Sequence, residues 1–255
     1  MPQKFGSWWD FNRFTASVRE RARFVHDAHV TKFLETLYET SATRHRTIPA
    51  GRIVWRAQLG HATEERSQDG VVWDDAVPYA ADRMKPMRFA AHEGRVNPKG
   101  IPCLYVSNEK KTAMAEVRPW LGAMVSIAQL KLNKEICLID FSVGHGARPN
   151  FYFEEPEPAE REKAIWEQVD CAFSEPAAQD VAVAEYAPTQ IISEFFMKKG
   201  FDGVVYKSNF GEGFNIALFD LEVADVVNCA LCRTKGVAYD FGDSEKGFTI
   251  THKET

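Results

Sequence analysis

A change of hydrophobic period near residue 50 constrains this chain more than any other feature. Before it, apolar residues recur at helical spacing: Phe11, Phe14 and Val18, then Val30, Phe33, Leu34 and Leu37. A charged stretch over 19–29 separates the two sets, so residues 8–45 read as two helices, separate or continuous. TIPAG at 47–51 breaks the pattern, because Pro and Gly punctuate helices. After it the runs are short. Residues 52–58 alternate, with Ile53 and Trp55 on one face and Val54 and Arg56 on the other, which predicts a strand. Residues 60–100 are polar and carry little periodicity. Further strands are predicted at 102–106, 124–132, 136–141, 203–208 and 214–220, with another at 223–231. Asn108 is expected to cap a helix that runs to about Arg118, where Pro119 ends it. Helices are predicted at 160–173 and 188–199, the second followed by Gly200 at the C′ position. Residues 144–158 read as loop, and the polar tail from Gly242 as frayed.

Strands and helices that do not alternate regularly point to an α+β fold, not a doubly wound one. The division expected is a helical extension over 1–50, a main domain over 51–232 and a tail over 233–255. A chain of 255 residues with 45% apolar and 12% aromatic residues can bury a large core. Its net charge of −5 argues against a general polyanion binder, so no direct nucleic-acid partner is expected. No stretch approaches 18 apolar residues and the N-terminus has no uninterrupted apolar run, so neither a membrane span nor a secretory signal is expected. Five scattered cysteines suit reduced thiols in a cytoplasm better than a disulfide framework.

Four segments carry candidate chemistry. Arg56 sits in the apolar run IVWRA, and a buried guanidinium must pair, face solvent or await an anion. Taken alone it reads equally as a structural salt bridge. GRVNPKGIPCLY at 94–105 is a tight turn feeding a strand, with Arg95 entering and Tyr105 leaving. In SNEKKTAMAEV at 107–117, Glu116 lies among apolar neighbours, where an acid is a candidate for charge work in a pocket, although most helical glutamates are solvated. Ser208 stands at the end of a buried strand, before a glycine-rich loop; it lacks the G-x-S-x-G surroundings of a nucleophile elbow.

In this order the segments resemble the RES domain, a family named for an Arg, a Glu and a Ser and known for toxins of bacterial toxin–antitoxin pairs. The matching text is VWR at 54–56, GRVNPKGIPCLYVS at 94–107, TAMAEV at 112–117, TQIISEFFMKKGFDGVVYKS at 189–208 and GFNIALF at 213–219. The resemblance spans roughly residues 50–225. It implies an ADP-ribosyltransferase-like fold and NAD⁺ degradation by phosphorolysis or hydrolysis, with protein ADP-ribosylation reported for some members. It also implies Glu116, Arg56 and Ser208 as catalytic residues, and Arg56, Arg95, Tyr105 and Ser208 as NAD⁺-binding ones. A separately encoded antitoxin is implied as partner. No metal or resident cofactor is implied, NAD⁺ being substrate and inorganic phosphate an optional co-substrate. Two departures concern the pocket rim. Val96 stands where the family commonly has an aromatic residue, and the gap between Arg56 and Arg95 is longer than in minimal members.

The residue chemistry is consistent with that set. Arginines hold phosphate oxygens through paired donors, Tyr105 offers a face to a flat ring, and a carboxylate stabilises the oxocarbenium character that builds when the nicotinamide–ribose bond breaks. Competing readings remain. Cys229 and Cys232 form a lone C-x-x-C, a weak zinc signal with His145 and His252 placed by no pattern. Cys103 or Cys171 as a nucleophile lacks an evident His partner. A non-catalytic NAD⁺- or ADP-ribose-binding module is separated from an enzyme by nicotinamide release. Residues 1–50 read as a helical layer on the core, the alternatives being a cap over the pocket, an antitoxin contact or a homo-oligomer interface.

Overall fold

The computed structural model describes residues 4–146, 152–176 and 182–238. The fold is α+β. Helices α1 (Asp10–Glu20) and α2 (Ala28–Glu39) come first, as the spacing predicts, and Asp27 caps α2 by accepting from the Val30 amide at 2.8 Å. Strand β1 (His45–Ile48) follows and lies largely within the stretch read as helical or as its break. Next come β2 (Ile53–Leu59), β3 (Ala62–Gln68), β4 (Val71–Val77), β5 (Leu104–Ser107), helix α3 (Lys110–Glu116), β6 (Met124–Leu132) and β7 (Ile136–Asp140). Helices α4 (Pro158–Ser174), α5 (Ala182–Glu185) and α6 (Ala187–Lys198) precede β8 (Gly203–Lys207), β9 (Phe214–Leu218) and β10 (Ala224–Arg233). Of the loop expected over 144–158, residues 147–151 lie outside the described residues, as do the tail from Gly242 and His252.

Eight strands form one mixed sheet in the order β1-β7-β8-β9-β5-β2-β6-β10, with β7 and β8 parallel and the other neighbours antiparallel. One face, through Ile139, Phe141, Val204 and Ala217, packs against α1, α2, α4 and α6 in a single apolar cluster. Phe14, Phe33, Phe141, Phe173 and Phe196 supply much of its volume, and Phe14–Phe33 and Phe141–Phe173 stack. The N-terminal helices therefore share this core, and β1 pairs with β7 (His45 opposite Ile139). The opposite face, through Val54, Leu104, Leu130 and Ile216, closes around the fully buried Met84.

Two sequence expectations are corrected. Residues 60–100 are not uniformly irregular: β3 and β4 form a separate two-stranded hairpin. Its turn is Asp69-Gly70, both left-handed (φ 54° and 80°), the geometry that Asp-Gly favours in two-residue hairpins. Almost every residue of the hairpin is exposed, so no face demanded an apolar alternation. Nor is Asn108 the cap of α3. Glu109 holds that position without a side-chain bond, while Asn108 Oδ1 accepts from the Phe214 amide at 2.6 Å and fastens β9 to the start of the helix.

Candidate active site

The sheet has a split. β2 runs with β6 along its whole length, but among the described residues it pairs with β5 only where Trp55 faces Ser107. An uninterrupted ladder would go on to set Arg56 opposite Val106 and Ala57 opposite Tyr105. Instead the Tyr105 carbonyl accepts from Arg56 Nη1 at 2.9 Å, so a side chain takes the place of a backbone donor. Arg56 Nε is buried with no hydrogen-bond partner among the described residues. Burial pushes the guanidinium below its ordinary range, the expected sign for a charge removed from water.

Three adjoining cavities meet at this split. The first, about 300 Å³, is lined by Trp55, Arg56, Tyr105, Glu116, Tyr206 and Asn215 among others. A second of about 770 Å³ shares Arg56 and Tyr105 with it, and a third of about 540 Å³ shares Tyr105, Glu116, Tyr206 and Asn215. The floor of the first is one cross-strand row. Trp55 faces Ser107, Ser107 faces Asn215, and Asn215 faces Tyr206, across β2, β5, β9 and β8. Helix α3 packs across this region and brings Glu116 over the row.

Glu116 is firmly held. Its Oε1 accepts from Ser208 Oγ at 2.6 Å and from Asn215 Nδ2 at 2.7 Å, while Asn215 Oδ1 accepts from Ser107 Oγ at 2.9 Å. Ser208 is only 4% exposed and lines none of the three cavities, so it stands behind the carboxylate. Its own Oγ also accepts from the Phe210 amide at 3.1 Å, which shapes the loop after β8.

Tyr105 and Arg95 organise the opposite wall. The Tyr105 hydroxyl donates to Asn97 Oδ1 at 2.7 Å and accepts from the Val96 amide at 2.9 Å, latching the 94–97 turn to β5. Gly94 is required there, because a Cβ would lie 2.5 Å from that hydroxyl. Burial raises the phenols of both Tyr105 and Tyr206 well above the ordinary range, with the Glu116 charge a lesser cause at Tyr206. The Arg95 guanidinium donates through Nη1 to the Ala172 carbonyl and through Nη2 to the Glu175 carbonyl, capping the C-terminal end of α4. It also stands 5.3 Å from the Tyr186 ring centroid and lines the third cavity. Two of its five donors are thus committed to the protein. At the rim, exposed Arg118 has a left-handed backbone (φ 46°) before Pro119 and stacks over Phe210 at 4.6 Å.

Of the five side chains singled out in the sequence, Arg56, Arg95, Tyr105 and Glu116 line these adjoining cavities, and Ser208 supports Glu116 from behind. Asn215, Ser107 and Tyr206 were not singled out. The signal available for Asn215 is a polar residue inside the apolar strand FNIAL, which demands a partner; Ser107 and Tyr206 carry no such mark.

The other candidate centres differ. Burial pushes the Cys103 thiol up to about 12 and the Cys171 thiol to about 11, which disfavours the thiolate a nucleophile needs. Cys229 and Cys232 lie in β10, and no group of three or more His, Cys, Asp or Glu among the described residues is arranged to hold a metal ion. His145 pairs with the buried Asp170 at 2.8 Å. No helix among the described residues is long and apolar enough to cross a membrane.

Among solved structures, the M. tuberculosis MbcT–MbcA toxin–antitoxin complex is similar to this chain at 13% identity. The match covers 76% of this chain and 89% of that one, with a TM-score of 0.37. No curated protein matches the chain. The RES domain model matches residues 53–239, a span that holds every cavity residue described above, and on that match the chain belongs to the RES domain family.

Proposed function

We propose that this chain is an NAD⁺-degrading enzyme that cleaves the nicotinamide–ribose bond in an ADP-ribosyltransferase-like cleft. The observation that carries the reading is the Glu116 carboxylate, anchored through Oε1 and lining two cavities that adjoin a buried, incompletely bonded arginine. Family membership points the same way. In this reading the C–N bond breaks with its electron pair passing to the nicotinamide nitrogen, which becomes neutral. Positive charge develops at the anomeric carbon and its ring oxygen. Glu116 stabilises that charge and orients the ribose hydroxyls. Arg56 holds an anionic oxygen, either of the dinucleotide bridge or of an attacking phosphate. Tyr105 and Tyr206 flank the substrate. Phosphate as acceptor gives nicotinamide and ADP-ribose 1″-phosphate; water gives ADP-ribose and a proton. A protein acceptor would give an ADP-ribosylated target. The reading extends to a growth-arresting toxin in a bacterial cytoplasm, neutralised by a cognate antitoxin.

The test is to incubate pure protein with NAD⁺, with and without phosphate, and to identify products by mass. Glu116→Gln should keep the parent melting temperature and lose nicotinamide release. Parent-like release from that variant would remove Glu116 from the reaction, and no release from the parent would overturn the reading.

A further inference from the structure

From the hydrogen bonds beneath Glu116, which rest on the reading just given, we infer that Asn215 is a positioning residue that commits Oε1 to the protein and leaves Oε2 as the oxygen presented to substrate. Oε1 takes two hydrogen bonds, from Asn215 Nδ2 at 2.7 Å and Ser208 Oγ at 2.6 Å. Oε2 has no hydrogen bond among the described residues, while Glu116 is half-buried at the junction of two cavities.

The carboxylate fixes the orientation of the amide. Glu116 Oε1 can only accept, so the Asn215 NH₂ faces it, and Oδ1 is left to accept from Ser107 Oγ at 2.9 Å. A turned amide would set Oδ1 against Oε1, two acceptors in contact. Ser107, Ser208 and Asn215 are 3%, 4% and 5% exposed, so each member of this chain of bonds depends on its protein partners. Ser107 and Asn215 are also direct cross-strand partners, and the sheet itself fixes their spacing. The two donors converge on one oxygen from different strands, β9 and the end of β8. Together they stop the carboxylate from rotating about its Cγ–Cδ bond. Asn215 acts through Glu116 and needs no contact with the reacting atoms.

The experiment is steady-state nicotinamide release for Asn215→Ala, Ser107→Ala and Ser107→Thr, and for Asn215→Ala in a Glu116→Gln background. Asn215→Ala should lower kcat by about 10²-fold, the cost of a misplaced catalytic group, with KM changed less than about threefold. Ser107→Ala should lose kcat in the same way to a smaller degree, and Ser107→Thr, which keeps the hydroxyl, should restore it. In the Glu116→Gln background, Asn215→Ala should alter the residual rate by less than about twofold, because its effect passes through the missing carboxylate. A parent-like kcat for Asn215→Ala, or equal losses in both backgrounds, overturns the inference. Should the parent not cleave NAD⁺, it is the proposed function that fails, and the positioning claim is then read by NMR. The Asn215 side-chain amide protons should move upfield in Glu116→Ala and in Ser107→Ala, and resonances that stay in place overturn the inference.

Discussion

Replacing Arg56 with methionine separates a functional arginine from a structural one. Methionine keeps an unbranched apolar stem out to the position of Nε, so it removes the charged head while the wall beneath it stays filled. Two opposing terms decide stability. The variant loses the Nη1 hydrogen bond to the Tyr105 carbonyl, and a bond from a charged donor contributes about 1.5–3 kcal/mol. It also removes a guanidinium whose Nε is buried and unpartnered, and such a desolvated charge costs several kcal/mol. The Tyr105 carbonyl borders open cavities and can be hydrated once the arginine is gone. The terms should nearly cancel, leaving stability within about 2 kcal/mol of the parent. For a chain of this size that is a melting shift within about 8 °C, in either direction. NAD⁺ turnover, measured as nicotinamide release, should meanwhile fall by at least about 10²-fold, the loss of one preorganised charge contact. Thermal unfolding by circular dichroism and the turnover assay on the same preparation test both halves. A melting temperature more than about 12 °C lower would show that the arginine is there to hold the split together, and the cancellation argued above would be wrong.

Two further outcomes follow from the same region. Tyr105→Phe strips the Val96 amide and Asn97 Oδ1 of their buried partner and should cost about 2–4 kcal/mol, read as a lower urea midpoint with an unchanged slope; an unchanged midpoint would mean that the 94–97 turn does not depend on the latch. Burial raises the Cys103 thiol to about 12, so the neutral thiol's contribution is complete below the unfolded value of about 8.5 and is lost as pH rises from there through about 12. Over that window Cys103→Ala should lose less stability than the parent in urea titrations, and identical pH profiles would contradict the assignment.

What the sequence discloses and what it hides divide along physical lines. Strands β6–β9 and helix α6 are legible because each buries a continuous or alternating apolar set, and β2 because its apolar residues alternate around the buried Val54. β1 carries His45, Arg46 and Thr47 at the sheet edge and has no such signature. The β3–β4 hairpin is solvated on both faces, and only the Asp-Gly pair announces it. Within the site, the family pattern marks Arg56, Arg95, Tyr105, Glu116 and Ser208, but it cannot say which atoms they face. That Arg95 caps α4 through two carbonyls, and that Ser208 grips Glu116, depends on tertiary geometry. Asn215 and Ser107 escape notice because their partnership is a matter of strand register between β5 and β9. Register emerges only when the sheet assembles.

The unzipped margin between β2 and β5 also bears on how the sheet is held together. Beyond Trp55 and Ser107 no strand pairing joins β2 to β5 among the described residues, and the Arg56 tether stands in for the missing ladder. The leaves on either side, β2 with β6 and β5 with β9, are each fully laced. The two leaves still share the apolar cluster around Met84, so the margin is a slot in the sheet's lateral bonding above a core that runs unbroken beneath it.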